Sequence, residues 1–269
     1  MELSVVIRCG DDPRIFDCIR SIDEEVDVVV ALSSNDRLRL KIAESGVRYC
    51  VTPRGNLSIV SNMGVANARF KKVFLTDSDT IFEPGCIRKI DETLDEYPIA
   101  KVRISFQYDS KRLSSRTVAA ARDYVNSLPL VYTPGIGFRK DVTDKIGGFL
   151  FNEPVKYAVD ADLDYRVKKA GIPIEFIRSV GIQHSPESLS HDLRAAYRIG
   201  QGCASSYLVL KTYDCYADIG WNALKGVKLK KIPDIAVKKG LTVAFYQIIW
   251  DLLYWLGYLN KYIKNKARY

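Results

Sequence analysis

The sequence predicts an α/β protein built on a largely parallel sheet. Two observations carry that expectation. Short apolar runs of strand length alternate with stretches of helical period from Leu3 to Tyr97. The chain also has 269 residues, 47% of them hydrophobic, which suffices for one large domain with a full core, or a domain plus an appendage.

The elements follow in order. "LSVVIR" (Leu3–Arg8) reads as a buried strand, and "DPRIFDCIRSI" places Ile15, Ile19 and Ile22 at helical spacing. "VDVVVAL" (Val26–Leu32) is a second buried strand. "SSNDRLRLKIAESG" is a helix with Asn35 as N-cap and Gly46 as its stop. "VRYCV" is a third strand, "NLSIVSNMGVANA" a third helix, and "KVFLTD" a fourth strand. "EPGCIRKIDETLDEYP" then sets Ile87, Ile90 and Leu94 on one helical face.

The second half is less regular. "AKVRISF" and "PLVYTPGIGF" read as strands, and "RKDVTDKIGGF" as a short helix ending in a glycine pair. "VDADLDYRVKKAG" is an amphipathic helix with Val159, Leu163 and Val167 inward and Gly171 as its stop. "IPIEFIRSVGI" is the last strand. No internal repeat or low-complexity linker interrupts the chain.

Charge divides the chain. Residues 221–269 hold ten Lys/Arg and two Asp/Glu, whereas residues 1–220 hold 30 of each, so the whole net charge of +8 lies in the tail. Trp221, Trp250 and Trp255 lie there too. We therefore expect a neutral body over residues 1–220 and a basic, aromatic helical segment over 221–269. The start "MELSVVIRCG" opens straight into a strand-like run without a secretory pattern, so the body is expected to face the cytoplasm. The six cysteines form no C-x-x-C pair, so reduced thiols are expected rather than zinc or disulfides. With only two histidines, a His-rich metal site is excluded.

"VFLTDSDTIFEPG" places Asp77 and Asp79 one residue apart after a buried run. Ligands of open parallel sheets bind outside the carboxyl ends of the strands. Two carboxylates there supply part of the oxygen shell of Mg²⁺ or Mn²⁺; a strand-to-loop turn also favours Asp and Ser, and both readings stand.

"SVVIRCGDDPRIFDCIRSI", then "NLSIVSNMGVANARFKKVFLTDSD", "DKIGGF" and "VDADLDYRVKKAG", taken in order, resemble the inverting family 2 glycosyltransferases of GT-A fold. The resemblance covers about residues 3–202. It implies a nucleotide-diphospho-sugar donor and a Mn²⁺ or Mg²⁺ cofactor gripping the donor diphosphate. Asp79 is implied as a direct metal ligand, and Asp77 as a contact to the ribose or to the metal through water. Asp160 stands where the family's general base lies, followed by Asp162, Leu163, Arg166 and Gly171. Val159 stands where that family carries Glu, a departure on the acceptor side. Asp162 is either a helix-start residue or an acceptor contact; the carboxylates first and lysines last in this helix also suit its dipole.

His184 ends the last strand where the family often carries a histidine near the metal; a hydrogen-bonded loop histidine is equally open. Arg54 and Asn62 are candidates for the nucleotide. Arg198 and Gln201 face either the diphosphate or solvent. Ser33, Ser34, Asn35 and Asp36 follow the second strand without identifying the base.

"LTVAFYQIIWDLLYWLGYL" (Leu241–Leu259) approaches a membrane span in length, but Gln247, Asp251, Tyr254 and Tyr258 form one polar stripe. A helix lying on an anionic membrane surface is expected, with Lys225, Lys228, Lys230, Lys231, Lys238 and Lys239 before it and Lys261, Lys264, Lys266 and Arg268 after it. Packing against the protein's own core is the alternative. No nucleic acid is expected, since no motif for it is present.

The combined expectation is a metal-dependent inverting glycosyltransferase at the cytoplasmic membrane face, with a lipid-linked or glycan acceptor. The rival readings are a catalytically inactive membrane-held scaffold of the same fold and a nucleotidyltransferase. The latter lacks support, because "RCGDDPR" is a poor phosphate loop.

Overall fold

A computed structural model of the chain describes residues 1–33, 36–128, 130–155, 159–210 and 231–266. The expected N-cap Asn35, together with Ser34, Trp221, Lys225, Lys228, Lys230 and Arg268, lies outside the described residues. The described elements are, in order, β1 (Leu3–Cys9), α1 (Ile15–Arg20), β2 (Asp27–Ser33), α2 (Asp36–Glu44), β3 (Arg48–Thr52), α3 (Leu57–Asn67), β4 (Lys72–Asp77), β5 (Thr80–Phe82), α4 (Cys86–Glu96), β6 (Ile99–Phe106), α5 (Leu113–Asn126), β7 (Ile136–Arg139), α6 (Val142–Lys145), α7 (Val159–Lys169), β8 (Ile174–His184), α8 (Leu189–Leu210), α9 (Lys231–Lys239) and α10 (Leu241–Lys266). They fall into two compact units, one of Met1–Ser105, Pro129–Glu153 and Val159–His184, the other of Phe106–Leu128, Pro154–Ala158 and Ser185–Tyr269.

The first unit is a mixed α/β layer structure. Its eight-stranded sheet has the order β3-β2-β1-β4-β7-β6-β8-β5. The strands β1 to β4 run parallel, and β7 runs antiparallel to both β4 and β6. Every residue of β1 is buried, which explains its unbroken apolar run. Ser4, a polar residue within that run, is satisfied: its hydroxyl donates to Asp27 at 2.6 Å and accepts from the Phe70 amide at 3.0 Å.

Gly64 explains the Asn-x-Gly pattern in α3. A Cβ there would lie 2.5 Å from Val6 and 3.0 Å from Ala31, so only glycine lets α3 approach β1 and β2 this closely. Asn56 caps the same helix by accepting from the Ser58 and Ile59 amides.

The Gly147–Gly148–Phe149 turn has an equally specific support. Arg166 donates to the carbonyls of Ile146, Phe149 and Leu150, lies over the Phe149 ring, and pairs with Asp162 one helical turn before it. Asp162 is 2% exposed, so its i,i+4 pair with Arg166 is an interior one.

Three segments depart from the expected elements. Strand β7 begins at Ile136 rather than Pro129, because Pro134 and the positive φ of Gly135 shape a loop there. Short β5 and helix α5 were not expected. Asp123 of α5 accepts from the Phe106 amide, a bond within the second unit.

The second unit is helical. Helices α8 and α10 pack with backbones in close approach: a Cβ on Gly200 would run into the Tyr254 carbonyl, and one on Gly257 into that of Tyr197. Val118, Ala121, Tyr124, Ile235, Val243, Ala244 and Tyr246 form a core between α5, α9 and α10. Asp192 accepts from Tyr246, and Arg122 lies 4.7 Å from the Trp250 ring centre.

The polar stripe of α10 faces inward. Gln247 and Tyr258 are 1% and 3% exposed, and Gln247 donates to Asp251 at 2.8 Å. The apolar residues Leu241, Phe245, Ile248, Leu252, Leu256, Leu259 and Ile263 are the exposed ones. Among the described residues, no helix is long and apolar enough to cross a membrane.

Candidate active site

The site is built at the carboxyl ends of β1 and β4. Their parallel register sets Arg8 beside Asp77. The Arg8 guanidinium forks onto that carboxylate, with Nε to Oδ1 at 2.7 Å and Nη2 to Oδ2 at 3.0 Å. Burial works against the charge on Arg8, and Asp77 and Asp160 outweigh it, so Arg8 is held more firmly protonated than usual.

The fork has a second reach. Arg8 Nη2 also donates to the Thr133 hydroxyl at 2.7 Å, and Thr133 donates onward to Asp160 Oδ1 at 2.8 Å. The carboxylate at the end of β4 and the one in the first turn of α7 are therefore joined by one guanidinium and one hydroxyl.

Beneath them lies Lys101 of β6, 1% exposed. Its ammonium donates to the carbonyls of Tyr132 and Pro134, the two neighbours of Thr133. Burial brings the Lys101 amine down to about 7, although Asp160 and Asp77 oppose the shift. Burial likewise raises Asp160 above the usual carboxylate range, with Arg8 and the Thr133 bond pulling the other way. A carboxylate so placed is a stronger base than an exposed one.

Asp79 belongs to a neighbouring cluster. Strand β5 pairs antiparallel with β8, which sets Thr80 opposite His184 and brings His184 alongside Asp79. The Asp79 carboxylate lies 3.4 Å from His184 Nε2 and 3.6 Å from the Arg14 guanidinium. Burial raises Asp79, and His184 opposes it. The turn itself is fixed by the Thr80 hydroxyl, which donates to the Asp77 carbonyl at 2.8 Å.

This donor set admits a divalent cation. A carboxylate oxygen and an imidazole nitrogen, both half-buried and close together, form a partial shell of the kind that water and phosphate oxygens complete. Asp77 differs, because Arg8 engages both of its oxygens.

The remaining sequence candidates lie as follows. The Asn62 amide donates to the Phe151 carbonyl at 2.8 Å and accepts from the Phe151 amide at 3.1 Å, tying α3 to the loop after the glycine pair. Arg54 is exposed in the turn before α3. Asp162 is buried against Arg166. Arg198 is exposed on α8, in the second unit.

Sequence reasoning missed Arg8, Lys101 and Thr133. The signal for the first two was present: each is a cation inside an apolar strand, in "SVVIRC" and in "IAKVRI". A buried strand rarely carries an unpaired charge, so each implied a partner.

No protein-family model matches the chain, and no curated protein matches it by sequence. Solved structures do match. The crystal structure of S. aureus TarS 1-349 aligns at TM-score 0.52 and 14% identity, covering 97% of this chain and 91% of that one. The same protein in complex with UDP-GlcNAc aligns at TM-score 0.52 and 13% identity, and in complex with UDP at 0.50 and 14%, with the same coverage. At these identities the likeness is one of fold. The chain thus has the mixed α/β fold expected of it, that of TarS, followed by C-terminal helices.

Proposed function

We propose that this chain is a metal-dependent inverting glycosyltransferase that takes a sugar from a nucleotide-diphosphate donor. The observation that carries the reading is the pair of carboxylate centres, Asp79 with His184 and Asp160 with Thr133, in a fold shared with a protein that binds UDP-GlcNAc. A Mn²⁺ or Mg²⁺ ion bound at Asp79 and His184 would neutralise charge on the leaving diphosphate.

Asp160 takes the proton of the acceptor hydroxyl as its oxygen attacks the anomeric carbon. The bond from that carbon to the diphosphate oxygen breaks, and configuration inverts because attack and departure use opposite faces. Arg8 grips both oxygens of Asp77 and fixes it where the donor ribose would meet it. The acceptor is lipid-linked or glycan in nature, and the protein works at the cytoplasmic face of a membrane. The outward apolar stripe of α10, with exposed Lys238 and Lys239 before it and Lys264 at its end, supports that placement.

Two substitutions separate the roles. Asp79→Ala should abolish Mn²⁺-dependent binding of nucleotide sugars in calorimetry. Asp160→Asn should bind donor as the wild type does and lose transfer by about 10²-fold or more. Undiminished Mn²⁺-dependent binding in the first variant would remove the metal role, and retained turnover in the second would remove the base.

A further inference from the structure

Arg8 is buried, so its N–H groups need acceptors, and Asp77, Thr133 and Ser61 supply them. The Thr133 contact also bears on Asp160. Thr133 has one proton, and accepting from Arg8 Nη2 turns that proton towards Asp160 Oδ1. Lys101 holds the carbonyls on either side of Thr133, so the hydroxyl stands on an anchored backbone.

We propose that Arg8 and Thr133 are positioning residues that fix the acceptor-side carboxylate Asp160 against the donor-side carboxylate Asp77. This rests on the transfer reading above. A base must lie within hydrogen-bond reach of the proton it removes, and small misplacements are costly. One guanidinium that grips Asp77 and orients the hydroxyl bound to Asp160 sets both distances together. The charged groups around Asp160 are Arg8 from β1, Asp77 from β4 and Lys101 from β6, with the Thr133 hydroxyl from the loop before β7. Donor and acceptor sides would then share one register, set from β1.

The test uses the full chain with Mn²⁺ and UDP-GlcNAc, run beside other UDP-, GDP- and dTDP-hexoses, and follows release of the nucleoside diphosphate with water as acceptor. Thr133→Val keeps the shape and removes the hydroxyl. It should lower kcat by about 10- to 100-fold, as lost outer-shell partners do, with donor affinity unchanged. The acid limb of its kcat–pH profile should move to higher pH, because the bond that favours ionised Asp160 is gone. Thr133→Ser should restore both. Arg8→Lys, which keeps a cation but cannot fork onto Asp77 and reach Thr133 together, should lose kcat as well.

Wild-type kcat and an unmoved acid limb in Thr133→Val, with Asp160→Asn inactive, would overturn the positioning role and leave the transfer reading standing. The same would follow if Thr133→Ser lost as much as Thr133→Val. Absence of wild-type turnover with every donor would overturn the transfer reading, and the positioning role with it.

Discussion

Lys101 is the residue whose environment is least expected of its type. A fully buried amine with two carbonyl acceptors and no direct carboxylate contact is shifted from its usual 10.5 to about 7. The sign follows from proton counting. Between about pH 7 and 10.5 the unfolded chain holds a proton that the folded chain has released, so this group makes stability rise with pH across that window. Below it the folded state must carry a buried charge. Urea denaturation at several pH values should show wild-type stability rising relative to Lys101→Met as pH increases above 7. A constant difference between the two would mean that the amine titrates normally.

At the same scale, the candidate site was only half legible. Asp77, Asp79, Asp160 and His184 stand out because strand ends and a helix start display them in a readable order. Arg8 and Lys101 are hidden inside apolar runs, where a single polar letter resembles a strand end. Thr133 belongs to a loop whose position no local pattern encodes. Asn62 was read as a candidate for the nucleotide and Asp162 as either a helix-start residue or an acceptor contact; in the structure Asn62 bonds Phe151 and Asp162 bonds Arg166.

Among the elements, helix packing depends on a few glycines. Gly257→Ala should destabilise the helical unit by about 1–3 kcal/mol, the usual cost of overpacking, because its Cβ would meet the Tyr197 carbonyl of α8. Denaturation monitored by helical circular dichroism checks this, and an unchanged midpoint would mean that α8 and α10 are further apart than described.

The parallel half of the sheet was legible because strands buried on both faces are continuous apolar runs and each is followed by a helix of clear period. Helix α5 was not, since its moderate amphipathicity follows a polar loop and half of it faces partners supplied by α9 and α10. The three-residue β5 is too short to have a period at all. On α10 the stripe itself was legible, whereas the way it faces is set by its neighbours in the fold. Gln247, Asp251 and Tyr258 face the helical unit, where Gln247 donates to Asp251, and that leaves the leucines outside.

For the whole molecule, the basic and apolar end of the chain predicts a location. The exposed positions of α10 from Leu241 to Ile263 are apolar apart from Thr242, and no carboxylate is exposed among them. Flotation with phosphatidylglycerol vesicles should show binding that salt weakens. Leu252→Glu with Leu256→Glu should lower it by at least about tenfold, since each leucine contributes about 1.5–3 kcal/mol when buried. Equal binding by the double variant would move the contact elsewhere, and a dimer dissociated by the same change would make the stripe a contact between copies.

The central claim, metal-dependent use of a nucleotide-sugar donor, is tested most directly by thermal unfolding of the full chain against a panel of nucleotide sugars with and without Mn²⁺. A ligand at a hundredfold its Kd stabilises the folded state by about 2.7 kcal/mol. For a chain of this size that corresponds to a rise in Tm of about 5–10 °C. One donor should produce that rise with Mn²⁺ present and lose it when the ion is chelated. A Tm unmoved by every donor at saturating Mn²⁺ would contradict the claim.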